Sequence, residues 1–220
     1  MPATLAPPEA PAQAASGDGG FASGPPVRGG GWDGPAPGDE RLVQRYKLGV
    51  WVGMGGITMF FAALTSAMVV REGLSGDWQP FSLPPVLYAS TLVLLLSSLT
   101  IERARSAMLR GSSSGLRRWV NVSACLGLAF LACQVAGWAA LTARGIYLDS
   151  NPASSFYYVL TAGHGLHLAG GIAGLGYIWV RVRAARPWPT RAAAVEGTAL
   201  YWHFMDVLWI YILGLLLFWR

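Results

Sequence analysis

A chain of 220 residues that is 53% hydrophobic and only 12% charged is too apolar and too charge-poor for an ordinary soluble domain, and it reads as a membrane protein. Its formal net charge of +5 would suit a nucleic-acid partner. The basic residues are sorted loop by loop, however, which gives the charge a topological cause and argues against nucleic acid.

Residues 1–40 are dominated by Pro, Gly and Ala ("MPATLAPPEAPAQAASGDGGFASGPP") with almost no aliphatic periodicity, which predicts a disordered cytoplasmic tail. A charged start followed by a short apolar core is missing there, so no signal peptide is expected and targeting falls to the first span. Residues 41–220 are predicted to form one all-α, polytopic transmembrane domain. A membrane-spanning helix needs about 20 predominantly apolar residues, and five runs of that length follow: 48–70, 78–101, 119–143, 150–180 and 197–219. The last is interrupted only by His203 and Asp206. Thirteen Lys or Arg residues fall before the first span, between the second and third, and between the fourth and fifth; the alternate loops and the C-terminus hold only Arg71, Arg144 and Arg220. That alternation predicts a five-helix bundle with its N-terminus cytoplasmic and its C-terminus outside.

Within the spans the first carries Gly49 and Gly53 at GxxxG spacing, with Thr58 and Thr65; the second carries Ser97 and Ser98. Hydroxyls of this kind bond back to their own helix carbonyls. The third holds Gln134 and the pair Cys125 and Cys133, eight apart with no CxxC spacing, which suits packing thiols. Glu102 and Glu196 lie at the arginine-rich ends of the second and fifth spans, where surface ion pairing is expected.

The ionisable residues deep in the spans are His164 and His167 on the fourth, and His203 and Asp206 on the fifth. Such groups cost roughly 2.5–3.5 kcal/mol at a helix centre, so they face the bundle interior with partners. At about 1.5 Å rise per residue, His167 falls roughly 12 Å from the inner boundary, and His203 and Asp206 about 9 and 13 Å from it. A short loop joins the two spans, so all four groups are expected along one seam between antiparallel neighbours. Three chemistries fit the seam: metal or haem ligation, with His167 and His203 as a bis-histidine pair; a proton relay; and an interhelical hydrogen-bonded clamp. The clamp is favoured, since three histidines are few for a redox centre. Six glycines between 163 and 176 predict a tightly packed face beside it.

The strings "FYYVLTAGHGLHLAGG" and "YWHFMDVLWIYI" resemble the last helices of cytochrome c oxidase subunit III, the family that also includes quinol oxidase subunit III. "MFFAALTSAMVVRE" resembles the first helix of the five-helix bundle common to that family, and "STLVLLLSSLTIERARSA" its next, so the resemblance covers about 46–219. It implies an accessory, non-redox subunit of a bacterial haem-copper terminal oxidase in the cytoplasmic membrane. Such a chain carries no catalytic, metal or cofactor residue itself. It packs on subunit I beside other oxidase subunits, binds phospholipid, and supports proton uptake and stability, while haem and copper lie in partner subunits. By position, His164, His167, Glu196, His203 and Asp206 match family motif residues. Two departures stand out: seven-helix members have two further N-terminal helices that this chain lacks, and Ile57 falls where many members have Glu. A quinol oxidase or nitric oxide reductase accessory subunit, or a free-standing bis-histidine cytochrome, are the alternatives.

Overall fold

The computed structural model describes residues 39–74, 76–184 and 188–218. Residues 1–38, nearly all of the expected tail, lie outside the described residues; the two remaining tail positions begin the first helix. Five helices follow in chain order: α1 (Asp39–Leu74), α2 (Val86–Leu109), α3 (Ser113–Thr142), α4 (Pro152–Arg183) and α5 (Trp188–Phe218). No strand is present among the described residues.

Four of the five, α1, α2, α3 and α5, are long and apolar enough to cross a membrane. At 32 residues α4 has the length, but glycines, tyrosines and two histidines dilute its apolar run. The helices overrun the expected spans at their arginine-rich ends, because backbone hydrogen bonding continues through the headgroup layer into water. The second helix is the exception. Its span was expected from residue 78, whereas the helix begins at Val86. Pro80, Pro84 and Pro85 intervene; proline lacks an N–H and forces its predecessor out of helical dihedrals, so "WQPFSLPP" is an irregular, non-helical entry.

The other ends have ordinary local causes. Ser112 caps α3 by accepting from the Gly115 N–H at 3.1 Å. Asn151 and Ser154 form a reciprocal capping box at the start of α4, with Pro152 in its first turn. Gly111, at φ 73°, closes α2 in the left-handed region where a side chain would clash.

Helix α5 is the axis of the bundle. It packs on α1, α2 and α4, while α3 packs on α2 and α4, and α1 touches α4. No Cα pair within 8 Å joins α1 to α2, so these two stand apart on either side of α5. Trp202, Trp209, Tyr157, Phe61 and Phe130 fill the interior. Leu48, Met59, Leu92, Leu99, Leu166 and Val207 point outward, which is the expected exterior where the solvent is acyl chain.

Candidate functional site

In lipid, apolar burial gives no preference for one helix over another, so packing and interhelical hydrogen bonds decide neighbours. The hydrogen bonds of α5 run mainly to α2. The Trp202 indole N–H donates to Ser97 Oγ at 2.9 Å, and the Trp209 indole N–H to Thr91 Oγ1 at 2.9 Å. Each hydroxyl in turn donates to a carbonyl of its own helix: Ser97 to Leu94 at 2.6 Å, Thr91 to Leu87 at 2.8 Å. Back-bonding thus leaves the oxygen lone pairs free to accept from a neighbour. Tyr211 uses the same device on α1, donating to Thr65 Oγ1 at 2.9 Å, and Trp138 of α3 donates to Thr161 of α4 at 3.0 Å.

The next residue, His203, also faces α2. Its Nε2 lies 2.9 Å from Glu102 Oε1 and its Nδ1 2.7 Å from Ser98 Oγ. The carboxylate oxygen accepts, which places a proton on Nε2. Asp206 sits one turn further in, 5% exposed, with Oδ2 3.8 Å from His203 Nδ1 and, among the described residues, no donor at hydrogen-bond distance from either oxygen.

At the arginine-rich end Glu196 ties three helices together. Arg105 of α2 donates to it twice, at 2.6 and 3.1 Å, and Lys47 of α1 approaches to 3.2 Å. The expected ion pairing is present: Glu102 pairs with Arg105 at 3.7 Å near the surface, whereas the Glu196 side chain is only 15% exposed, so its pair is an interhelical junction. Lys47, Trp51, Glu102, Arg105, Glu196 and His203 line a cleft of about 320 Å³ between α1 and α2, floored by α5.

The fourth helix uses its histidines differently. His164 is fully buried, its ring centroid 5.0 Å from Trp209 and 5.6 Å from Phe130, and neither ring nitrogen has a hydrogen-bond partner among the described residues. His167 Nδ1 donates to the Gly163 carbonyl of its own helix at 2.7 Å, and its ring lies 6.0 and 5.8 Å from Phe60 and Phe61 of α1. Besides the His164 ring, what α4 offers α5 is backbone and glycine. The Tyr201 hydroxyl donates to the His167 carbonyl at 2.8 Å. A Cβ on Gly171 would stand 3.3 Å from the rings of Trp202 and Tyr201, and one on Gly174 would stand 3.2 Å from Thr198 Oγ1.

The structure therefore brings His203 together with Glu102, Ser98 and, more loosely, Asp206, and places His164 and His167 elsewhere. The shared depth of the four groups does not make them one seam between α4 and α5, because helix rise fixes depth and leaves the direction around the axis open. His167 and His203, the pair a bis-histidine haem would use, face α1 and α2. Among the described residues no three His, Cys, Asp or Glu side chains stand close enough to hold a metal ion. Cys125 and Cys133 are free thiols on α3. Lys47, Arg105, Trp202 and Trp209 complete the polar contacts and were not singled out as site residues; Arg105 lies three residues after Glu102, a spacing that pairs charges on one helix face, at 3.7 Å here.

Fold and site together define a multi-pass helical membrane protein whose polar groups join helices. Comparison with known proteins gives the family. The profile described as Cytochrome c oxidase subunit III matches residues 52–220. The chain is 33% identical over 181 residues to the probable cytochrome c oxidase subunit 3 of Mycobacterium tuberculosis, covering 79% of this chain and 88% of that protein. It is 34% identical over 176 residues to cytochrome c oxidase subunit 3 of Thermostichus vulcanus (77% and 85% covered), and 30% identical over 168 residues to quinol oxidase subunit 3 of Bacillus subtilis (75% and 82%). The chain belongs to the cytochrome c oxidase subunit III family.

Proposed function

We propose that this chain is the non-redox subunit III of a haem-copper terminal oxidase in a bacterial cytoplasmic membrane, its arginine-rich end cytoplasmic. In this reading it packs on the catalytic subunit, holds phospholipid and supports that subunit's proton uptake and stability. The observation that carries it is the family match over 52–220, which spans all but the start of the bundle. The site agrees in kind: His164 is stacked among aromatic rings, His167 is bonded to its own helix, and His203 is held by Ser98 and Glu102. Glu102 and His203 both line the cleft at the arginine-rich end.

Purifying the complex through this chain and recording a reduced-minus-oxidised spectrum tests the reading. Haem bands should follow a co-eluting catalytic subunit and be absent from the chain purified alone with adequate haem supply. A Soret band carried by the isolated chain would overturn it in favour of a cytochrome. The electron donor is a second, specific question, because relatives named for cytochrome c and for quinol oxidation match at similar identity. Turnover of the purified complex with reduced cytochrome c against a soluble quinol separates the two, and the nature of the co-eluting catalytic chain separates either from a nitric oxide reductase.

A further inference from the structure

Where α3 meets α4, the hydroxyl and indole groups are satisfied within the bundle. The Trp138 indole N–H donates to Thr161 at 3.0 Å, and the Thr161 hydroxyl donates to the Tyr157 carbonyl at 2.7 Å. Two side-chain oxygens beside them are not. The Gln134 carbonyl oxygen and the Tyr157 hydroxyl have no hydrogen-bond partner among the described residues, and both residues are buried, at 2% and 0% exposure.

The orientation of Gln134 follows from its neighbour on α2. Ser90 gives its hydroxyl proton to the Leu87 carbonyl at 2.8 Å, so its oxygen accepts from Gln134 Nε2 at 3.1 Å and the Gln134 carbonyl is left over. That carbonyl can only accept. Tyr157, met edge-on by Phe81 and Tyr158 at centroid distances of 5.7 and 5.4 Å, has a proton to give. Between them lies Gly137, one turn after Gln134 on the α3 face that meets Leu87 and Ser90. A Cβ on Gly137 would stand 3.4 Å from the Tyr157 hydroxyl and 3.4 Å from Val86, both ordinary contacts. The bare backbone there leaves room for a group of methyl size.

We propose that resident water occupies this junction of α2, α3 and α4, seated on Gly137 between the Tyr157 hydroxyl and the Gln134 carbonyl. The chemistry selects water. The occupant of the seat must be no larger than a methyl group, accept from Tyr157 and donate to Gln134, and both of those groups are neutral, which disfavours an ion. With water in the seat every donor points the same way, from Tyr157 through water to Gln134, then Ser90, then the Leu87 carbonyl. Such a one-way chain strengthens its own links and joins three helices. The inference goes beyond the proposed function and does not depend on it.

Paired substitutions in the full chain, within its purified complex, test the assignment with melting temperature as the readout. In a dry junction Gly137→Ala adds a methyl at ordinary contact distance and improves helix propensity, and Tyr157→Phe removes an unpaired hydroxyl, so neither should lower Tm. With water in the seat each should lower Tm by about 2–4 °C. The double variant should lose no more than Gly137→Ala alone, because both changes remove the same water. A Tm at or above that of the unaltered protein in either single variant, or losses that simply add, would overturn the assignment. Should Gly137→Ala fail to assemble, Tyr157→Phe and an electron cryo-microscopy map that resolves other ordered waters decide. Density within about 3 Å of the Tyr157 hydroxyl oxygen is the expected result; its lack, or direct contact between the Tyr157 and Gln134 oxygens, would contradict it.

Discussion

Helix α5 meets two of its three neighbours, α2 and α4, by different means. Against α2 it is joined by side chains: indole to hydroxyl at Trp202 and Trp209, imidazole to Ser98 and Glu102 at His203, and a two-pronged ion pair at Glu196. Against α4 it is joined chiefly by close approach, with Gly171 and Gly174 letting the Trp202 and Tyr201 rings and Thr198 near the backbone, beside the His164–Trp209 ring contact and the bond from Tyr201 to the His167 carbonyl. The first interface specifies register through donors and acceptors at fixed heights. The second gains dispersion contacts from proximity and tolerates little added volume. Substitutions should therefore act by volume on the α4 side and by hydrogen-bond loss on the α2 side.

The largest effect is expected from Gly171→Leu, which drives a branched side chain into two aromatic rings and should cost about 3 kcal/mol. Thermal unfolding of the purified complex reads it, and a wild-type melting temperature would remove the glycine interface from the account. Arg105→Ala comes next at about 2 kcal/mol, since a mostly buried Glu196 is left with Lys47 alone; Glu196→Gln in the same background should recover part of the loss. Ser97→Ala removes the acceptor of the buried Trp202 N–H and should cost about 1 kcal/mol.

Asp206→Asn should change stability by less than about 0.5 kcal/mol, because neither carboxylate oxygen has a donor to lose. A loss of assembly or stability comparable to that of Arg105→Ala would show that Asp206 holds a partner in the intact complex.

The number of helices and the crowding of glycine on α4 were readable in the sequence, for physical reasons. Apolar length is set by bilayer thickness, and glycines cluster where backbones meet. The polar partner of "YWHFMDVLW" was not readable. Depth along a helix follows from residue count, and the depths of His203 and His167 are similar; the direction each faces depends on how α5 is rotated among three neighbours. That rotation is fixed by Trp202 meeting Ser97 across 105 residues of sequence, and the short loop between α4 and α5 points to the nearer helix instead. Serines 97 and 98 were expected to be self-satisfied. Ser97 does donate to its own helix, and its remaining lone pair is what makes it a partner. The start of α2 was misread because "WQPFSLPP" is free of charge, although its prolines cannot continue a helix.

Paired double-mutant cycles on thermal or denaturant unfolding of the complex test the central contrast most directly, one between Arg105 and Glu196 and one between His167 and His203. The account predicts a coupling of about 1–2 kcal/mol for the first pair and none beyond about 0.3 kcal/mol for the second. A histidine coupling equal to or larger than that of the ion pair would contradict it, and would return the polar lock of this subunit to the interface between α4 and α5.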